Sequence, residues 1–391
     1  MRRVYLDHAA TTPLAPEVLE EMTPYLTEHY GNASSVHQLG REARVTLEEA
    51  RERVADCLGA ASSEIVFTSG GTEADNLAIK GVIAARAEAG ASTGLVTSAA
   101  EHEAVLRPAE RLAEQGHPVN ILEPDAHGIV TPQQVDAAID DQTALVSLMH
   151  ANNEIGVCTD ISGVAEVCDA NDVLLHCDAV QTAGLFDLDV DALGVDLLSL
   201  SGHKFYGPKG VGALFVRGGV DLGPLVEGGS QERERRGGTE NVPGVVGLAA
   251  ALERALDAAE ERRPQLVRLQ RRLVDGLEDA VPCDYRLNTP VDQVDTAPHV
   301  VNVAFPPNGE EPVDGEMLIL NLDMEGVLVS AGSACTSGAL EPSHVLKALG
   351  LDRETASAAV RFSLGTQTTA DDIDYALDKL HTTLDRMVGG L

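Results

Sequence analysis

The chain is short of positive charge, and of lysine above all. Its 28 basic residues stand against 62 acidic ones, a formal net charge of -34, and only five of the 28 are lysines: Lys80, Lys204, Lys209, Lys347 and Lys379. So acidic a surface repels phosphates, which excludes nucleic acid as a direct partner. The acidic residues are dispersed along stretches such as 251–279 rather than gathered in a tail. They read as a solvated surface, and the expectation is a halophilic protein, in which cations screen the self-repulsion. No apolar run approaches the length that crosses a bilayer and the first residues hold no apolar signal core, so no membrane partner is expected. Six cysteines (Cys57, Cys158, Cys168, Cys177, Cys283, Cys335) form no CxxC pair and no regular framework. That excludes a disulfide scaffold and points to a reducing, cytoplasmic compartment. Internal repeats and low-complexity segments are absent too.

What is present is an alternation. Strand-like apolar runs at 64–68, 94–98, 119–122, 144–149, 173–177, 196–200 and 212–216 are mostly separated by helical patterns, at 73–89, 104–115, 131–138 and 164–170, with another at 42–59 ahead of the first. Such a pattern predicts an α/β fold with a mostly parallel seven-stranded sheet. At 391 residues the chain exceeds what one core supports, so a second, smaller domain is expected. After Gly238 comes a long charged helical stretch, 245–280, with a break expected at Pro264. Strands near 300–305 and 326–329 then read as a small α+β domain.

The most informative segment runs from Ser201 to Gly210, Ser-Gly-His-Lys-Phe-Tyr-Gly-Pro-Lys-Gly. It follows an apolar strand and sets Lys204 at a strand end among phosphate-binding residue types. A lysine desolvated there can present a free amine to a carbonyl cofactor such as pyridoxal phosphate; a surface lysine in a Gly/Pro loop is the plainer reading. Ser69-Gly70-Gly71-Thr72-Glu73, between a strand and a helix, suits a single phosphate at a helix N-terminus, or a turn kept small for steric reasons. It has neither a Walker lysine nor GxGxxG spacing.

Asp178 closes a strand where open α/β sheets bind ligands, and its carboxylate could keep a pyridinium nitrogen protonated; a helix N-cap is the alternative. His102, in Glu-His-Glu, could stack on a flat ring and handle protons, and with no second His or Cys at ligand spacing no metal site is expected. Asn153, in Asn152-Asn153-Glu154-Ile155-Gly156, could bond a substrate carboxylate or close a local Asx turn. Arg361 lies inside an apolar run, where a guanidinium needs an anion: a substrate carboxylate or a structural Asp or Glu. Cys335 sits in a run of tiny and polar residues, 330–338, with nothing in the sequence to hold it rigid, whereas Cys57 and Cys177 sit among large apolar residues as inert structural cysteines do.

Taken together these motifs resemble the NifS/IscS-type cysteine desulfurases, in the class V aminotransferase family of fold-type I pyridoxal-phosphate (PLP) enzymes. The likeness runs from Tyr5-Leu6-Asp7-His8-Ala9-Ala10-Thr11-Thr12-Pro13 through Gly31-Asn32-Ala33-Ser34-Ser35-Val36-His37 and Arg235-Arg236-Gly237-Gly238-Thr239-Glu240-Asn241 to Glu341-Pro342-Ser343-His344-Val345-Leu346. The resemblance implies that Lys204 forms the imine with PLP, Asp178 pairs with the ring nitrogen, Gln181 bonds the phenolic oxygen and His102 stacks on the ring and shuttles protons. Gly71, Thr72, Ser201 and His203 would bind the phosphate, with Thr239 reaching over from the partner subunit of a homodimer. Asn153, also counted with the cofactor contacts, would hold the substrate carboxylate with Arg361. Cys335 would be the nucleophile that takes sulfur from L-cysteine as a persulfide and releases alanine. Gly71 stands where many such enzymes have alanine.

The implied division is 13–262 for the large PLP-binding domain and 1–12 with 263–391 for the small domain carrying Cys335. The sulfur acceptor would be an iron–sulfur scaffold protein or a tRNA-thiolating enzyme, with Cys335 open to transient iron–sulfur ligation. A selenocysteine lyase, a cysteine sulfinate desulfinase and a non-catalytic sulfur-relay protein are the alternatives.

Overall fold

A computed structural model describes residues 2–307, 313–332 and 342–388; Cys335 lies outside the described residues. The chain opens with β1 (Val4–Tyr5), α1 (Pro16–Thr27) and α2 (Gln38–Leu58). It then alternates through β2 (Ile65–Thr68), α3 (Gly71–Glu88), β3 (Gly94–Ser98), α4 (Glu103–Glu114), β4 (Val119–Leu122), α5 (Pro132–Ala138), β5 (Thr143–Met149), α6 (Ile161–Ala170), β6 (Leu174–Asp178), α7 (Val190–Leu193), β7 (Leu197–Ser201) and β8 (Gly212–Val216). These eight-residue-or-shorter strands make one sheet in the order β2-β8-β7-β6-β5-β3-β4, parallel except that β8 runs against both neighbours. The expected seven-stranded sheet is therefore the one observed, and the carboxyl ends of all its strands but β8 share one edge.

Two apolar layers enclose this sheet because its strands alternate. Leu198, Val146 and Phe67 join a core with α1, α2 and α8 (Val242–Asp257). Their neighbours Leu197, Leu145 and Val66 face the other way, onto α3 and α4. With both faces covered every strand but the edge strand β4 is buried along almost its whole length, and each such leucine contributes about 1.5–3 kcal/mol of burial.

The remainder builds a second core. It comprises α9 (Ala259–Ala280), β9 (Arg286–Leu287), β10 (Val300–Ala304), α10 (Gly315–Met324), β11 (Val327–Leu328), α11 (His344–Ala348), α12 (Arg353–Ser357), β12 (Ala359–Ser363) and α13 (Ala370–Val388). A three-stranded antiparallel sheet, β12-β10-β9, carries Val301, Val303 and Phe362 against Leu273 and Leu277 of α9 and Leu380 of α13. Val4 and Leu6 belong to this core as well, since β1 pairs with β11.

The helical break falls at Ala258 instead of Pro264, which lies inside a continuous α9. Ala258 closes α8 through its N–H on Arg254 O and opens α9 by accepting from Arg262 N. Packing sets the position: α8 is buried in the first core and α9 in the second.

One edge of the large sheet ends on an ion pair. Glu232, 8 % exposed, receives both Arg51 guanidinium nitrogens at 2.7 and 2.8 Å. Glu232, Arg233 and Glu234 all take left-handed backbone angles (φ 46, 56 and 67), which costs non-glycine residues on the order of 1–3 kcal/mol each. The pair holds that strained turn in place. Glu232→Gln leaves the buried Arg51 charge with only the half-exposed Glu48, 3.4 Å from its Nε, and a destabilisation of about 3–5 kcal/mol is expected. Urea unfolding midpoints measure it; a loss under about 1 kcal/mol would make the pair incidental.

Candidate active site

The shared carboxyl edge borders a cavity of about 550 Å³. Ten of the residues singled out in the sequence line it: Gly71 and Thr72 after β2, His102 after β3, Asn153 after β5, Asp178 ending β6, Gln181 beyond it, Ser201 ending β7, His203 and Lys204 in the turn that follows, and Arg361 from β12. Open α/β sheets bind ligands on this edge because the strand ends leave backbone and side chains unpaired there. Thr239 is not among them; it is exposed, over a separate hollow beside Thr68 and Ser69.

At one end the N-terminus of α3 offers backbone N–H groups and the Thr72 hydroxyl. Gly70 takes φ 151 and ψ -177, a conformation almost confined to glycine. At Gly71 a Cβ would stand 2.7 Å from Val180 Cγ2, so glycine here goes with the branched side chain opposite. His203 Nδ1 lies 3.1 Å from Thr11 Oγ1, and burial lowers its imidazole to about 4, leaving it a neutral donor.

Lys204 Nζ donates to Ala9 O at 2.5 Å. Burial first, then the Arg361 charge, depress the amine to about 8, against the pull of Asp178 and Asp7. Far more of it is therefore free amine near neutrality than of an ordinary lysine. Gln181 Nε2 donates to the same Ala9 O at 3.0 Å, so the amide and the amine stand side by side on one acceptor.

Asp178 Oδ1 accepts from Val180 N at 3.0 Å. Burial raises its carboxyl, opposed by that bond and by His102 and Lys204, so a cation set against it would stabilise the carboxylate. Beside it Asp75 of α3, 2 % exposed, also lines the cavity and its Oδ1 has no hydrogen-bond partner among the described residues. Burial and then the Asp178 charge push Asp75 well above the carboxylate range. Behind the pair, the fully buried His176 is bracketed by Ser147 Oγ at 2.8 Å and Ser199 Oγ at 2.9 Å.

The His102 ring faces the cavity. Its Nδ1 accepts from Ala104 N at 3.0 Å and caps α4. A nitrogen that accepts a backbone N–H is bare, so the neutral ring carries its proton on Nε2; the surrounding protein depresses its pKa by desolvation. Arg361, 4 % exposed, donates to Asp7 Oδ1 and to Asn153 O, both at 2.9 Å. A structural acid therefore does partner this arginine, yet its Nε has no partner among the described residues and a second carboxylate can share the guanidinium.

The cavity thus brings together a donor-rich helix N-terminus, a depressed amine and two buried carboxyls, which fits a phosphorylated, carbonyl-bearing pyridine. Among the described residues no group of three His, Cys, Asp or Glu is arranged for a metal ion, and no helix is long and apolar enough to cross a membrane.

The family model described as aminotransferase class-V matches residues 4–376. The chain belongs to the class-V aminotransferases. Within that family it is similar to the cysteine desulfurase IscS of Dictyoglomus turgidum, 46% identical over 386 residues, 99% of this chain and 95% of the relative. The cysteine desulfurase IscS of Methanosarcina thermophila is 45% identical over 377 residues, 96% of this chain and 91% of the relative. Among solved structures, a NifS-like protein superposes with a TM-score of 0.89 at 38% identity, covering 98% of this chain and all of the other. SspA in complex with cysteine gives 0.79 at 37%, covering 92% and 98%.

Sequence reasoning gave no role to Asp7, Ala9, Asp75 or His299, which the fold brings to the site. Asp75 had a signal, an acid among Ala74, Leu77 and Ala78 on a buried helix face. Ala9 contributes only a carbonyl and carries none.

Proposed function

We propose that the chain is a PLP-dependent cysteine desulfurase that takes sulfur from L-cysteine, leaves a persulfide on Cys335 and releases L-alanine. The observation that carries this reading is the meeting of Lys204, Asp178, Gln181, His102 and Arg361 in one cavity. Bound there, PLP supplies an electron sink for charge developing at the substrate Cα. Lys204 would anchor it covalently, Gly71, Thr72, Ser201 and His203 would hold its phosphate and Asp178 its ring nitrogen. Arg361 and Asn153 orient the substrate carboxylate. Lys204 Nζ, its amine depressed by burial, would serve as the base for the Cα proton, and His102 would present a proton at Nε2.

Cys335 thiolate attacks the substrate sulfur: an S–S bond forms as Cβ–Sγ breaks, and the electron pair left on the carbon skeleton takes up protons to give alanine. Burial pushes the thiols of Cys57, Cys158 and Cys168 up to about 12, and raises Cys177 and Cys283 too, so these five are poor thiolates. Alanine release from L-cysteine by the PLP-loaded protein, with a thiol reductant in molar salt, tests the reading. Stoichiometric alanine and sulfide support it, and no alanine overturns it.

The partners belong to the same proposal. The exposed Thr239, outside its own chain's cavity, fits a homodimer in which the partner subunit's Thr239 completes the phosphate site. The persulfide would pass to an iron–sulfur scaffold protein or a tRNA-thiolating enzyme in the cytoplasm. The net charge of -34 supports a high-salt setting. The melting midpoint is accordingly expected to rise between dilute buffer and molar potassium chloride; a flat or falling midpoint removes the halophilic reading.

A further inference from the structure

The Gln181 amide is held from both ends. Its nitrogen donates to Ala9 O, and its Oε1 lies 3.2 Å from Nε2 of His299, a residue just ahead of β10. His299 is 6 % exposed, its backbone oxygen accepts from Leu364 N at 2.7 Å, and its Nδ1 has no partner among the described residues. Since Gln181 Oε1 can only accept, Nε2 must carry the ring proton, and Nδ1 is then the bare nitrogen, which is how it is found. A flipped amide would set Oε1 against Ala9 O, which can only accept, a repulsive contact whichever ring tautomer His299 adopts. One orientation survives, with the second amide hydrogen free for the cavity.

We propose that His299 is a positioning residue, which fixes the Gln181 amide so that it donates to the cofactor's phenolic oxygen. The proposal rests on the reading of Lys204 as the PLP-bearing lysine. Lys204 and Gln181 share Ala9 O, so the amide stands next to the amine, as the phenolic oxygen stands next to the carbonyl carbon on the ring. A donor on that oxygen competes with the proton on the Lys204–cofactor link for the same negative charge. It therefore lowers the pH at which the link loses its proton.

His299 faces His8, Arg361 and Lys204, while Asp178 and Asp7 also act on Lys204. Burial holds the His299 imidazole down to about 3, so replacing it with leucine removes a donor and no charge.

The test titrates the absorbance of the PLP-loaded protein against pH. Gln181→Leu is expected to raise the midpoint by about one unit, the size of a lost hydrogen bond to a charged oxygen. His299→Leu raises it in the same direction by about half a unit, and His299→Gln, which keeps a donor, restores the parent value. His299→Leu added to Gln181→Leu gives no further shift, because His299 acts through the amide. Should the leucine protein not fold, His299→Met gives the same reading. No shift in His299→Leu, or a further half-unit shift when His299→Leu is added to Gln181→Leu, overturns the proposal. A chromophore present in all variants with no shift in Gln181→Leu overturns the amide's role while leaving Lys204 intact; absence of the chromophore in the parent instead defeats the PLP reading.

Discussion

Lys204→Ala protein, incubated with excess PLP and dialysed, comes out colourless and releases alanine from L-cysteine at least about 10²–10⁴-fold more slowly than the parent, the range for a lost general base alone. Loss of the covalent anchor adds to that. The parent's pH behaviour is the sharper signature. With the amine at about 8, the rate of cofactor capture by the apoprotein climbs as pH rises through about 8 and levels off above it, since only the deprotonated form attacks. An unperturbed lysine would still be climbing beyond pH 10. Stability carries the same sign. Between about 8 and 10.5 the unfolded chain binds a proton on this lysine that the folded chain does not, so this group's burden on stability is full below about 8 and fades as pH rises to 10.5. A capture rate flat from pH 7 to 10, or a yellow Lys204→Ala protein, would rule Lys204 out as the anchor.

Cys335→Ala, loaded with PLP, is expected to bind L-cysteine with the parent's change in absorbance and then to stall. Alanine release falls by about 10³-fold or more, because the sulfur has no thiolate to leave for. The split between intact binding and lost turnover is what distinguishes a nucleophile from a residue that merely shapes the cavity. Equal alanine from both proteins would take Cys335 out of the chemistry and favour a selenocysteine lyase or cysteine sulfinate desulfinase, which need no persulfide. The Cys335→Ser variant should stall in the same way, since a hydroxyl is a far weaker nucleophile toward sulfur.

Much of this site was legible because its chemistry sits at strand ends. Strands β3, β4 and β8 have the boundaries that apolar runs predict, and Asp178 and Ser201 prove to be the last residues of their strands, one step beyond where the runs stop. Local patterns could reach that far. Ala9 meets Lys204 across 195 residues and His299 meets Gln181 across 118, contacts between the two cores that no local spacing encodes. Arg361 shows the same limit from another side. Its position in an apolar run announced a need for an anion, but sequence could not rank Asp7 against a substrate, and the fold supplies Asp7 while, among the described residues, nothing pairs with Nε. Pro264 misled for a physical reason: proline disfavours a helix interior, yet burial in separate cores decided where the long helix divides.

The Arg51–Glu232 pair also has a meaning for how copies of this chain meet. Strand β2 is the outermost of its sheet, and its outward-facing groups at Ile65 and Phe67 would invite a foreign strand. Arg51 Nη1 donates to Ile65 O at 2.8 Å and Phe67 N donates to Glu232 Oε2 at 2.9 Å, so side chains occupy the positions an added strand would use. In molar salt, mutual repulsion between acidic surfaces is screened away and no longer keeps molecules apart. A border sealed by a buried pair, which salt screens little, still does.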